Sequence, residues 1–448
     1  MSKHAAPTTG PQVWFLSPVA VTLVIATAAI VPTALIGDTA FRALWRTPKS
    51  ITPETLLLFA CGALALSFGA LVAMGAVQQR PLTVRWPALE GKSLDLMHRA
   101  STVLTGLTVF GYAGFGFLIL RSGLSFSQLL AGPYVDGPPV RDTIGTVPGV
   151  TTLTQCGMAA VVVSSILLTQ RFARGELLKI VTVIGLSLPR SFLFSERLAV
   201  LEVVVPVVVI LCTWLSLSPG PRRAAAQLAP VIGLPLVIVV FGVFEYFRSW
   251  SYFRTRTNAT FVEFTLERLA GYYTTALNNG HLVYQHLDWP GRWPYDTLEA
   301  FWVAPGVEQI GLYTRLTGHE LPYSGKSTAV TPLTDVLNQY ANPEFNNPSG
   351  YVAAFIDYGA VGGLLFLFII GLVAGFLYRE FCSAKPFGLL LYPIIFIGLL
   401  ELPRYMYWAQ GRTTYTLLAL IILAVLLRRT QAKSPAPQPQ PTLSGFPS

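Results

Sequence analysis

The sequence predicts an all-α polytopic membrane protein, and three observations predict it. Of the 448 residues, 52% are hydrophobic and only 12% charged, where a soluble domain carries about 25% charged residues. Ten runs of mostly apolar residues approach the ~20 needed to cross a bilayer core. Charge is confined largely to the connections between those runs.

The runs fall at roughly 13–36, 54–77, 101–120, 151–169, 177–194, 197–217, 228–247, 352–377, 386–402 and 413–427. The first, Trp14 to Ile36, is longer than the ~7–15 residue core of a signal peptide and reads as an uncleaved span. With the N-terminus inside, the internal segments hold 15 Lys or Arg, from Lys3 to Lys433, and the short external loops nine. That asymmetry places both termini in the cytoplasm. It also accounts for the net charge of +9 without nucleic acid.

The chain divides into a cytoplasmic N-terminus (1–12), seven spans (13–247), a large extracytoplasmic loop (248–351), three spans (352–430) and a Pro-rich disordered tail (431–448). The large loop carries seven Lys or Arg against nine Asp or Glu. This slightly acidic balance excludes a nucleic-acid surface. It also holds 18 aromatic residues, Trp250, Trp289, Trp293 and Trp302 among them, more than a passive connection needs. The four cysteines, Cys61, Cys156, Cys212 and Cys382, follow neither a zinc nor a disulfide spacing.

Candidate chemistry starts in "LPRSFLFSERLAVLEVVVPVVVI", Leu188 to Ile210, where Arg190, Glu196, Arg197 and Glu202 interrupt an apolar stretch. Four such charges facing lipid would cost on the order of 10 kcal/mol, so they face protein or water. Pro189 is expected to end the fifth helix and turn the chain at the outer surface. Arg190 and Arg197, seven apart, then share a helical face. Two readings are open: an Arg197–Glu202 ion pair with Arg190 snorkelling to headgroups, or an anion site, since the guanidinium fork suits phosphate. At that face the available phosphate is the head of a lipid-linked substrate.

A second cluster, "ELPRYMYWAQGRT", brings Glu401, Arg404 and Arg412 to the same outer face, with Tyr405, Tyr407 and Trp408 as an alternative aromatic belt. A third, "FTLERLAGYYTTALNNG", reads as an amphipathic helix lying on the outer surface and ending at Asn279 and Gly280. Arg268 and Tyr272 lie on one side of it, as a lid or as an ordinary interfacial helix. His281 follows directly, more simply a structural histidine than a catalytic one. The turn "NPEFNNPSG" leads into the eighth span, with Asp357 a few residues inside the apolar run as a functional or capped acid. No HExxH, DxD, GxSxG or P-loop occurs, so neither metal nor cofactor is expected.

"VPGVTTLTQCG" (Val147 to Gly157), "RSFLFSERLAVLE" (Arg190 to Glu202), "RLAGYYTTALNNG" (Arg268 to Gly280) and "NNPSGYVAAFIDYGAVG" (Asn346 to Gly362) resemble, in this order, segments of bacterial oligosaccharide repeat unit polymerases, relatives of the O-antigen polymerases. The resemblance covers the middle and C-terminal two-thirds of the chain. It implies a C-type glycosyltransferase fold related to the O-antigen ligases, in the bacterial plasma (inner) membrane. It also implies the reaction: a glycan on undecaprenyl pyrophosphate passes to the sugar hydroxyl of another lipid-linked unit, without metal, building a surface polysaccharide. Membrane lipids, a chain-length regulator and a flippase are the partners it implies. Matched to the pyrophosphate-holding role are Arg190, Arg197, Arg268 and Arg404, with Tyr272 and Arg412 beside them; the R-x10-G loop motif of some O-antigen polymerases is not apparent.

The residues agree with such chemistry. Fixed arginines stabilise a departing pyrophosphate, and the acceptor hydroxyl needs a base. Glu196 is the first candidate, because a carboxylate beside arginines at an aqueous boundary stays ionised; His281, Glu202 and Asp357 follow. The alternatives are a ligase-type transfer to another acceptor, a flippase or transporter of the same lipid-linked sugars, and a structural scaffold. One-sided charge and the lack of an evident internal repeat weigh against transport.

Overall fold

A computed structural model describes residues 9–75, 82–125, 144, 145, 147, 149–193, 198–287, 293–304, 306–321 and 332–432. Glu196, Arg197 and the tail from 433 lie outside the described residues. The described chain is mostly helical. One two-residue antiparallel pair, β1 (Thr9–Gly10) with β2 (Val84–Arg85), ties the first segment to the connection before the third span.

In chain order the helices are α1 (Pro18–Leu35), α2 (Asp38–Trp45), α3 (Pro53–Met74), α4 (Gly91–Arg121), α5 (Cys156–Gln170), α6 (Arg174–Leu193) and α7 (Leu198–Ser216). They continue with α8 (Pro221–Gln227), α9 (Ala229–Glu245) and α10 (Phe261–His286). Three short helices of the hydrophilic segment follow, α11 (Glu299–Trp302), α12 (Leu312–Thr317) and α13 (Pro332–Tyr340). The last three are α14 (Gly350–Cys382), α15 (Pro386–Glu401) and α16 (Thr414–Ala432).

Among the described residues, seven helices are long and apolar enough to cross a membrane: α1, α3, α4, α5 with its leading turn, α7, α14 and α16 with its own. The bent pair α8–α9, meeting at 56°, makes an eighth if it is one span. This is the architecture of an all-α, multi-pass membrane protein. The other two expected spans are also helices but differ in character. α15 is apolar and shorter, while α6 carries Arg174, Glu176, Lys179 and Arg190 and so is too polar for a lipid-facing span. Its Glu176 is buried and bonded to His98, Ser101 and Lys179 at 2.7–3.1 Å.

The expected break at Pro189 does not occur; α6 runs through it to Leu193. A proline removes one backbone donor, and helices packed among neighbours absorb that loss. Pro32, Pro206, Pro235 and Pro393 likewise sit inside α1, α7, α9 and α15.

Close packing between α3 and α14 rests on small residues. A methyl on Gly371 or Gly375 would collide with the carbonyl of Leu66 or Ala70, so glycine lets the two backbones touch. α5 lies at the centre, with every side chain from Cys156 to Leu167 buried. α4 and α16 instead expose stripes such as Val103, Phe110 and Phe117, or Leu418 and Ile422, as lipid-facing helices do. α14 bends at Gly359, whose φ of 80° and ψ of 175° no other residue adopts readily.

α10 corrects a second expectation. It starts at a capping box, Thr260 with Glu263, and passes through Asn279 and Gly280 to His286 rather than ending there. The two asparagines are buried tethers: Asn278 accepts from the Ser50 and Ile51 amides at 2.7 and 3.0 Å, and Asn279 donates to the Phe345 and Asn347 carbonyls. Packed against α1, α9 and α14, α10 is an integral wall of the bundle rather than a surface helix.

Candidate functional site at one end of the helix bundle

The site begins with a close approach. A Cβ on Gly111 of α4 would stand 2.7 Å from the Thr154 amide, so the Thr151–Gln155 turn lies directly on α4. That turn presents Thr151, Thr152, Thr154 and Gln155 at the head of α5, next to Tyr112 and Phe115 of α4. Arg190, in the last turn of α6, donates from Nη1 to Thr154 Oγ1 at 3.0 Å and lies 5.5 Å from the Phe115 ring centre. α7 adds Ala199, Glu202 and Val203, and the Gly411–Thr413 turn adds Arg412. Together they line a cavity of about 230 Å³.

Within it, Arg412 Nη1 reaches Glu202 Oε1 at 3.2 Å. Glu202 is thus paired with Arg412; the Arg197–Glu202 pair, one of the two readings of the sequence, lies outside the described residues because Arg197 does. The Arg412 side chain keeps 32% of its surface exposed and Glu202 only 9%. Two guanidinium groups, one from the end of α6 and one from the Gly411–Thr413 turn, therefore meet one cavity whose remaining polar lining is hydroxyl, amide and the Glu202 carboxylate paired with Arg412. Such a donor set matches an anion.

The other predicted residues fall elsewhere. Arg404 binds Glu401 at 2.6 Å, with its guanidinium over the rings of Tyr272 and Tyr405 at 5.2 and 5.7 Å. Tyr273 adjoins them; burial, reinforced by Glu401, pushes its phenol up to about 12. Arg268 lies deeper, paired with Glu245 at 3.1 Å and Glu344 at 2.7 Å. Phe253, Phe264 and Phe345 surround it with ring centres at 5.1–5.6 Å. With 7% of its side chain exposed, Arg268 is a structural node and not the surface phosphate contact expected of it. Tyr272 fills the space between these clusters, edge-on to Phe345 and Phe241.

Asp357 is also a tether. Its carboxylate accepts from the amides of Tyr295, Asp296 and Thr297 at 2.7–3.3 Å and from Thr297 Oγ1 at 2.6 Å. All four donors come from the 295–297 stretch, and Asp357 is not among the residues lining the cavity. His281 Nδ1 shares a 2.8 Å hydrogen bond with Thr55 Oγ1, away from the cavity lining. Burial pushes its imidazole down, and His286 acts in the same direction.

The segment between α10 and α14 closes over this end. A small core of Tyr295, Trp302 and Tyr313 holds it together, and α11 packs on the Tyr407–Ala409 and Gly411–Thr413 turns. Val303 comes within 3.5 Å of where a Cβ on Gly411 would stand. This docking sets the helix that carries Glu299, not singled out in the sequence, on the turn that carries Arg412. Burial pushes the Glu299 carboxyl up, with Arg412 opposing.

Among the described residues, no group of three His, Cys, Asp or Glu is placed to hold a metal ion. No family model, curated protein or solved structure matches the chain.

Proposed function

We propose that this chain polymerises undecaprenyl-pyrophosphate-linked oligosaccharide repeat units into a surface polysaccharide at the outer face of a bacterial plasma membrane. The reading places both termini in the cytoplasm and the 248–351 segment outside. One observation carries it: Arg190 from the end of α6 and Arg412 from the Gly411–Thr413 turn flank a single cavity whose other polar lining is threonine, glutamine, Tyr112 and one paired carboxylate, with apolar side chains completing it.

Its size of about 230 Å³ is below the ~300–1,000 Å³ that encloses whole small-molecule ligands. A pyrophosphate head suits it, with polyprenyl and glycan outside. In the transfer, the bond from the anomeric carbon to the pyrophosphate oxygen breaks and charge develops on the leaving group. Preorganised guanidinium donors lower that barrier by about 2.7–4 kcal/mol each. The exposed faces of Trp293 and Phe301 on the covering segment offer stacking surfaces to sugar rings.

The test is purified protein, a short lipid-linked repeat unit and EDTA, with glycan length followed on a gel. A ladder that disappears in Arg190→Ala and Arg412→Ala supports polymerisation. A single transfer to a different acceptor means a ligase, and substrate crossing liposomes without transfer means a flippase.

A further inference from the structure

We infer that the other end of the bundle holds the phosphate headgroup of an anionic phospholipid, between the start of α4 and the end of α16, with its acyl chains along the exposed faces of the same two helices. This inference is independent of glycosyl transfer and of the Arg190–Arg412 cavity.

Three observations lead to it. The first is a second cavity, of about 890 Å³, within the ~300–1,000 Å³ that accommodates a group of small-molecule size. Lys92 and Arg99 line it from α4, and Arg429 from α16. Ser93 Oγ and Thr430 Oγ1, 3.0 Å apart, join the two helices at its wall. Arg412 and Arg429 stand at the two ends of α16, about 25 Å apart at ~1.5 Å rise per residue. The two cavities are therefore separated by nearly the ~30 Å of a bilayer core. With both termini inside, this one faces the cytoplasm, where the leaflet is anionic.

The second is charge. Lys92, Arg99 and Arg429 are exposed, and none of them forms an ion pair among the described residues, whose pairs lie elsewhere. Glu90 and Asp95 also line the cavity, so three cations face two carboxylates. One net positive charge remains, which a single phosphodiester neutralises.

The third is the apolar continuation. On the face of α4 that carries Arg99, Val103, Leu107 and Phe110 follow as exposed side chains. On α16, Leu426 lines the cavity, and Ile422 and Leu418 extend its exposed stripe at four-residue spacing. α4 and α16 pack together, so both stripes lead from one cavity into the apolar layer. A soluble anion would leave them unused; a two-chain phospholipid covers them.

The experiment is native mass spectrometry of the purified full chain with dioleoyl phosphatidylglycerol, dioleoyl phosphatidylethanolamine or inorganic phosphate. Wild type is expected to retain phosphatidylglycerol in preference to phosphatidylethanolamine, and millimolar inorganic phosphate does not displace it. Arg99→Gln and Arg429→Gln should each weaken phosphatidylglycerol about fivefold, and the triple change with Lys92→Gln on the order of a hundredfold, at ~1 kcal/mol per cation. Arg379→Gln, which removes an exposed charge outside this cavity, should leave the affinity unchanged. Melting temperature in lipid-free detergent stays at the wild-type value in every variant. Unchanged affinity in the triple variant, equal weakening by Arg379→Gln, or equal retention of phosphatidylethanolamine overturns the inference. So does displacement by inorganic phosphate, which would mean a soluble phosphate ligand instead of a lipid.

Discussion

Two arginine–carboxylate clusters in this protein are built from the same side chains and serve opposite ends. Around Arg268, two acids, Glu245 and Glu344, and three phenylalanine rings enclose the guanidinium, leaving 7% of it exposed. Around Arg190 and Arg412 the described cavity lining holds one acid, Glu202, with threonine hydroxyls, the Gln155 amide and apolar side chains around a cavity of about 230 Å³. An arginine enclosed by two carboxylates and three rings joins helices; one that lines a cavity is placed to meet something that arrives. The comparison teaches that a membrane arginine is assigned by what surrounds it rather than by its place in the sequence.

The largest expected effect comes from breaking the sealed cluster. Arg268→Ala leaves Glu245, with 0% of its side chain exposed, without its guanidinium, and should cost about 3–5 kcal/mol. Thermal unfolding in detergent checks this, and a change near zero would remove the distinction between the clusters. Arg190→Ala should do the reverse. It is expected to lower transfer about 10²–10³-fold, the cost of losing one fixed donor to a developing anion, and to move the same melting curve by less than about 1 kcal/mol.

A smaller effect tests how the covering segment is held. Asp357→Ala strands the amides of 295–297 and should cost about 1–3 kcal/mol, seen as faster hydrogen exchange across 293–321 while exchange in α5 is unchanged. The smallest is a pH effect at His281, whose imidazole is pushed below its ordinary value by burial. Because the folded value lies below the unfolded ~6.5, its contribution is complete above pH ~6.5 and is lost as pH falls from there toward the folded value. Wild-type stability should therefore drop on acidification below pH ~6.5, and His281→Asn should blunt that drop.

Much of the fold was legible because hydrophobic length is a strong local signal. Each of the ten apolar runs coincides with a helix, and the charges of the Arg190 and Arg412 stretches do converge on one end. What the pattern could not supply were pairings between distant segments. Glu202 is bound to Arg412, 210 positions away. Helical spacing also made Arg268 look like an exposed partner of Tyr272, because Glu245 and Glu344 lie on other elements and leave no trace in the local sequence. Thr154 and Gln155 could have been found as polar residues at a membrane edge. Glu299 gave no such signal, since only the docking of α11 on the 407–413 turns makes it notable. Pro189 misled for a simpler reason: a single proline costs less in a packed helix than in an isolated one.

The most direct measurement is the affinity of the purified chain for undecaprenyl pyrophosphate alone, by native mass spectrometry, comparing wild type with Arg190→Ala, Arg412→Ala and Arg379→Ala. Arg379 is exposed near the far end of α14 and serves as the charge control. The account predicts weakening of about tenfold or more, ~1.4 kcal/mol, in each of the first two and none in the third. Equal affinity in all four proteins, or equal weakening by all three substitutions, would contradict it.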